Sequence, residues 1–246
     1  MFRINPNHDA ATLAARYAER RRIQVRDFLI DEDARRVGSI LSTETPWGLV
    51  FNRGTEVVQL APDAVAALTP EQQGALLREV QARAAKEYQF LYSTFPLLQA
   101  YTRRPELRLP IYEAIEFVNS RAFLDFTRTL TGLEDVTWAD AHATQFRAGH
   151  FLKFHTDETP AERRRAAYVL NFTEGWGRDW GGYLQFFNDR YDVEDAYRPV
   201  FNALNIFTVP SDHSVGQVAN YAPAGRYSIT GWLRADEPPT AIARLL

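Results

Sequence analysis

Residues 154–158 read FHTDE and set a histidine and a carboxylate two positions apart in a stretch of strand-forming residues. In an extended strand, residues i and i+2 project from one face, so His155 and Asp157 can aim into a single cavity. Two ligands hold a metal poorly, and a third has to come from elsewhere. The chain has five histidines. His8 lies in the leading segment, and His142 and His150 lie on nearby strand-like stretches. His213 lies in PSDHSVGQV, just ahead of another such stretch. Two histidines and one carboxylate on a β scaffold, with coordination positions left open, suit a non-haem iron(II) centre. The competing reading is a polar strand and a loop histidine.

A second group of residues narrows the chemistry. Arg226 and Ser228, in GRYSITGW, share one face of a strand. A guanidinium forks onto a carboxylate with two parallel hydrogen bonds, and a neighbouring hydroxyl can donate a third. Iron beside a carboxylate-binding arginine suggests 2-oxoglutarate as co-substrate. Trp232 shares the face of Arg226 and is a candidate for the substrate entrance, and Tyr168 and Val215 are candidates for the pocket wall. Simple alternation also puts Lys153 on the His155 face. The basic run ERRRAA (162–167) reads as a solvated approach to a strand.

The rest of the chain must position these groups. Its 246 residues, 46% of them hydrophobic, suffice for one sizeable core. A net charge of -3 gives no electrostatic reason to expect nucleic acid or a membrane surface as partner. With no cysteine, disulfides, iron–sulfur clusters and thiolate zinc sites are excluded. The opening MFRINPNHDA lacks the apolar run of a signal peptide, and no apolar run approaches membrane-spanning length. The expectation is a soluble cytoplasmic protein.

Residues 1–134 read as mostly helical. HDAATLAARYAERRR, DEDARRVGSILSTE (opened by Asp31 or Asp33), TPEQQGALLREVQARAAKEYQFLYS and NSRAFLDFTRTLTG carry helical patterning and caps. RIQVRDFL, WGLVFN and EVVQL are strand candidates. From Asp135, short strands separated by Gly, Pro, Asp and Asn follow one another to residue 235, the pattern of a sandwich, barrel or jelly roll. NDRYDVEDAYRP reads as a surface loop. The expectation is a single α+β domain over 1–246, with a β core at 135–235 buttressed by the helical half.

The second half resembles the iron(II)- and 2-oxoglutarate-dependent oxygenases, in particular their prolyl hydroxylase branch. Phe146, Gly149, Leu152, His155 and Asp157 stand in the register of that branch's Y-x-x-G-x-x-[LY]-x-x-H-x-D pattern. RRRAAYVLNFTEGW, WGGYLQFF and RPVFNALNIFTVPSDHSVGQV follow in the family's order, and VRDFLIDEDARRVGSIL is similar to the start of its catalytic region. The segment from about 60 to 131 matches no part of the pattern. The resemblance implies a double-stranded β-helix with its site in the barrel mouth. It implies Fe(II) on His155, Asp157 and His213, with no catalytic side chain beyond these ligands, and 2-oxoglutarate on Arg226 and Ser228. It further implies O2 as oxidant, ascorbate as reductant, and hydroxylation of a prolyl residue in a protein or peptide. The other readings are the same chemistry on a free amino acid or other small molecule, and a metal-binding jelly-roll sensor without catalysis. Phe146 stands where the family pattern has a tyrosine able to reach the co-substrate, and Gln145 is a neighbouring donor.

Overall fold

The computed structural model describes residues 1–159 and 161–246. Its first half contains α1 (Ala10–Arg20), β1 (Arg22–Arg26), α2 (Asp31–Ser39), β2 (Gly48–Arg53), β3 (Glu56–Leu60), α3 (Pro62–Ala66), α4 (Pro70–Ala84), β4 (Phe90–Phe95), α5 (Leu97–Arg103), α6 (Tyr112–Val118) and α7 (Arg121–Thr131). Its second half contains β5 (Trp138–Ala139), β6 (His142–Phe146), β7 (Phe151–His155), β8 (Arg164–Asn171), β9 (Leu184–Phe187), β10 (Val193–Tyr197), β11 (Ala203–Thr208), β12 (His213–Val215), β13 (Arg226–Arg234) and α8 (Thr240–Ala243).

Local chemistry sets the helix ends. Asp9 accepts hydrogen bonds from the amides of Ala11 and Thr12 and opens α1. Thr69 and Gln72 form a reciprocal capping box on α4, with Pro70 in its first turn. Ser120 opens α7, and Gly132 closes it at φ +70°, a backbone conformation that glycine adopts without cost. At α2 the expected aspartate cap is not used. Ile30 holds the cap position, and Asp33 instead accepts from the backbone and side chain of Arg3.

The strands build a mainly antiparallel sheet in the order β1-β11-β8-β13-β6-β4-β7-β12-β9-β10, with β2 joined to β4, β3 to β2, and β5 to β13. It coils into a double-stranded β-helix. One face of the β1-β11-β8-β13 section packs under the helices. Ile23, Tyr168, Leu170, Ile206 and Ile229 meet Tyr17, Phe28, Phe117 and Phe123 there in the main core. The other face lines the interior of the barrel.

Three sequence expectations change. The β core is not confined to 135–235, since β1, β2, β3 and β4 belong to the same sheet. The helix expected to run through FLYS ends at Ala84, and FLYSTF forms β4 between β6 and β7. That run is aromatic and β-branched, suited to a pleated surface more than to a helix face. NDRYDVEDAYRP is a hairpin, not a loop. Asn188 turns the chain and β10 pairs with β9, while Glu194 and Asp195 bind Arg22.

Candidate active site

The barrel interior holds a cavity of about 690 Å³ whose wall includes His155, Asp157, His213, Arg226, Ser228, Val215 and Trp232. The metal-type residues converge in it. His155 Nε2 lies 3.2 Å from one oxygen of Asp157, and His213 Nε2 lies 3.3 Å from the other. The candidate ligand atoms of the three residues all fall within 4.8 Å of one another. Each imidazole is fixed from behind. His155 Nδ1 is 2.9 Å from the Lys153 carbonyl, and His213 Nδ1 is 2.7 Å from the Ser211 carbonyl. A carbonyl only accepts, so both Nδ1 atoms carry the proton and both Nε2 lone pairs face the carboxylate. Three electron-rich groups turned on one point are the arrangement a divalent cation relieves, so this donor set fits iron(II). Burial works to raise the Asp157 carboxyl; with no cation between them, imidazoles protonated on Nε2 as well would donate to it and outweigh burial, holding the group well below the usual carboxylate range.

The convergence does not arise from strand alternation. β7 ends at His155, and Asp157 lies beyond it at φ +63°. A turn of the backbone brings its carboxylate back to the histidines. Within β7 the pairing also slips: His213 stands opposite His155, while Val215 stands opposite Leu152. One extra residue on β7 makes a bulge, so both Leu152 and His155 face the cavity. Lys153 is thereby turned out, contrary to simple alternation. Its ammonium donates to the carbonyls of Ala84 and Glu87 and satisfies the C-terminal end of α4.

On β13 the alternation holds. Arg226, Ser228, Thr230 and Trp232 all line the cavity. Arg226 is 2% exposed, and its Nε and Nη1 have no hydrogen-bond partner among the described residues. Its guanidinium lies 5.3 Å from the centre of the Phe146 ring. A buried, unpaired guanidinium facing a cavity is costly unless an anion fills it, and a carboxylate matches its fork. Ser228 Oγ lies 2.9 Å from Thr144 Oγ1. One of these hydroxyls donates to the other and leaves a second proton for the cavity.

Val215 lines the cavity as expected, but Tyr168 does not. Its neighbours Ala167 and Val169 face the interior, while Tyr168 points into the helix-covered core and donates to the Asp140 carbonyl at 2.6 Å. Strand parity decides this, since a one-residue step changes the face. Gln145 also faces away and accepts from Arg147. Trp232 is flanked from both neighbouring strands. Arg164 from β8 lies 3.5 Å from its ring centre, and His142 from β6 packs at 5.7 Å. His142 lines the cavity, and burial pushes its imidazole down to about 4, so it is neutral.

Sequence reasoning missed the β4 wall. Tyr88, Phe90 and Tyr92 alternate onto the cavity, with Tyr92 stacked on Phe146 at 5.1 Å and Tyr88 6.2 Å from the His155 ring. Burial, with the Asp157 charge, pushes the Tyr88 phenol up to about 12, and burial likewise raises Tyr92. Both remain protonated donors. The i, i+2, i+4 aromatic spacing was the available signal, hidden by its reading as a helix tail.

Residues 141–234, which carry all five of the iron- and carboxylate-type residues, match the family model described as the 2OG-Fe(II) oxygenase superfamily. The similarity covers less than half of the chain and falls on the strands that carry the candidate ligands and the Arg226 group. Prolyl 3-hydroxylase OGFOD1 of Mus musculus is 28% identical over 169 residues, which are 63% of this chain and 29% of that protein. The chain thus spans less than a third of that relative's length. Among solved structures, a Pseudomonas putida prolyl-4-hydroxylase is 20% identical with a TM-score of 0.53, covering 95% of this chain and 99% of that one. A Trichoplax adhaerens prolyl hydroxylase, in complex with a hypoxia inducible factor peptide fragment, is 15% identical with a TM-score of 0.55, covering 92% of this chain and 89% of that one. Both share the fold.

Proposed function

We propose that this protein is an iron(II)- and 2-oxoglutarate-dependent dioxygenase that hydroxylates a C–H bond of a prolyl residue in a protein or peptide. The observation that carries the reading is the pairing of two incomplete sites in one cavity. A two-histidine, one-carboxylate set stands across from a buried arginine that has two unpaired donor atoms. His155, Asp157 and His213 would hold the metal, and Arg226 with the Ser228–Thr144 hydroxyl pair would hold the far carboxylate of 2-oxoglutarate. Bound iron with 2-oxoglutarate and O2 supplies an oxidant for unactivated C–H bonds, releasing succinate and CO2, with ascorbate as reductant.

The chain's own part is geometric and electrostatic. The Lys153 and Ser211 carbonyls fix the imidazole tautomers, and Arg226 orients an anion along the cavity. The β4 aromatics and Val215 wall the interior with apolar surface, which limits water around the reacting atoms. A metal-binding sensor without catalysis has no use for the Arg226 group. The choice of a prolyl residue draws on the prolyl hydroxylases among the relatives.

The test is aerobic incubation of the purified protein with Fe(II), 2-oxoglutarate and ascorbate over two substrate pools, a dialysed protein extract and its small-molecule filtrate. Succinate release with the protein pool, and a one-oxygen mass gain on proline in its digest, is the expected result. Turnover confined to the filtrate would reject the protein substrate. No succinate with either pool would reject the enzyme.

A further inference from the structure

Asp157 is the least conventionally held of the three candidate metal ligands. His155 and His213 sit on paired strands, opposite one another in the ladder. Asp157 sits past the end of β7 with φ +63°, a region that residues with a Cβ rarely occupy, although aspartate tolerates it better than most. Something must hold that backbone, since its turn aims the carboxylate.

The group in contact with it is Arg164, the first residue of β8. Its Nη1 donates to the Asp157 carbonyl at 3.1 Å. The direction of that carbonyl is set by the Asp157 backbone, so a donor on it fixes the peptide plane from which the side chain springs. The guanidinium is itself clamped. Nε donates to Glu162 at 2.7 Å, and the plane lies 3.5 Å from the centre of the Trp232 ring. Glu162 is held in turn by Arg234 at 3.2 Å. The Arg164 side chain is only 16% exposed, so these contacts are shielded from solvent. The two other arginines of the run, Arg163 and Arg165, face outward and pair with Asp135.

We propose that Arg164 is a positioning residue for the metal, acting through Asp157, and that the indole of Trp232 serves as the platform that holds Arg164 in place. The inference rests on the reading of His155, Asp157 and His213 as metal ligands. It assigns a function to a residue of a basic run that otherwise reads as solvated surface. It also gives Trp232 a structural reason to stand in the cavity wall independent of any substrate contact. Arginine suits the task because its planar guanidinium can stack on a ring and donate in its own plane together, which an ammonium cannot.

The experiment uses Mn(II) and Co(II) as probes on the full chain stripped of metal. Arg164→Met keeps an apolar stem on Trp232 and removes the donor. Its Mn(II) dissociation constant, by titration calorimetry, should rise about tenfold, and the visible spectrum of the Co(II)-loaded protein should change. Arg164→Lys should recover part of the affinity by restoring one donor. Trp232→Leu should also weaken Mn(II) binding, although Trp232 is not among the ligand residues, and its loss should not add to that of Arg164→Met in the double variant. Should Arg164→Met fold poorly, Arg164→Lys and Trp232→Leu carry the same test. Wild-type Mn(II) affinity with an unchanged Co(II) spectrum in Arg164→Met overturns the inference and leaves the metal site standing. Fully additive losses overturn the platform role of Trp232. Failure of the wild-type protein to bind Mn(II) overturns the inference together with the metal reading beneath it.

Discussion

Replacing Arg226 with methionine separates the cost of a buried charge from its use. Burial pushes the Arg226 guanidinium down from 12.5 to about 10, and no carboxylate contributes to offset it. That drop corresponds to roughly 3 kcal/mol of destabilisation of the charged form. The folded-state value lies below the unfolded one, so the penalty is fully present at neutral pH, where the group is charged in both states. It is relieved only as pH rises through about 10. Arg226→Met removes the charge and keeps an apolar stem of similar length. The ligand-free variant should therefore be more stable than the wild type by up to roughly 3 kcal/mol, or about 6–12 °C in Tm for a chain of this size. The effect on 2-oxoglutarate runs the other way. Removing one partner of a buried charge-assisted pair costs roughly 2–5 kcal/mol, a loss of about thirtyfold or more in affinity. Thermal melts with and without 2-oxoglutarate, on protein loaded with Mn(II), read both effects. At about one hundred times its Kd, the ligand adds roughly 2.7 kcal/mol to the wild type, and at the same concentration it should add less than about 1 kcal/mol to the variant. A variant that melts lower than the wild type without ligand, yet keeps the full ligand shift, would refute the assignment of Arg226 as the anion anchor.

Alanine at His155, Asp157 or His213 should abolish tight Mn(II) binding and succinate formation, whereas His142→Phe and His150→Phe should leave Mn(II) affinity near the wild-type value by calorimetry. His142 and His150 are both pushed down to about 4 by burial, so the folded state resists their protonation. Stability should fall as pH drops from about 6.5 towards 4, by roughly 2 kcal/mol for each residue after allowing for solvent screening, and urea melts of the two phenylalanine variants should show a flatter pH dependence. At Gly231 an added Cβ would lie 2.1 Å from the Asp140 carbonyl oxygen, which Tyr168 also uses as acceptor. Gly231→Ala should cost at least about 2 kcal/mol in a urea melt, and a neutral result would mean that β13 can draw away from Asp140 without loss.

Much of the candidate site was legible in the sequence because its parts are local or follow strand parity. His155 and Asp157 are two residues apart. Arg226, Ser228 and Trp232 alternate along β13 and do share the cavity face. The helix ends written in Thr69, Pro70, Gln72 and Gly132 also appear where the residues indicate. The strand content of the first half was partly legible, since RIQVR and WGLVFN become β1 and β2. That these strands enter the same sheet as β6 to β13 is a long-range fact, and no local pattern carries it.

What escaped the sequence has two physical causes. Parity fails wherever one residue is added, and the β7 bulge alone moves Lys153 from the cavity to the end of α4. A bulge is fixed by the partners on either side, here β4 and β12, so β7 by itself cannot announce it. Parity also needs a starting phase. AAYVLN alternates plainly, but whether Tyr168 or its neighbours face inward depends on which side the helices cover. The same dependence explains Asp157. Its two-residue spacing from His155 suggested a pair that the fold does bring together, but not by strand alternation, since the strand has ended and a left-handed turn carries the carboxylate back to the histidines. A spacing rule thus survives here although its mechanism does not, because the turn and a strand step place the carboxylate on the same side. The difference has a consequence for engineering. A ligand on a strand is held by the ladder, whereas Asp157 depends on a side-chain contact to its carbonyl, so changes at Arg164 should reach the metal while changes at Lys153 should reach mainly α4.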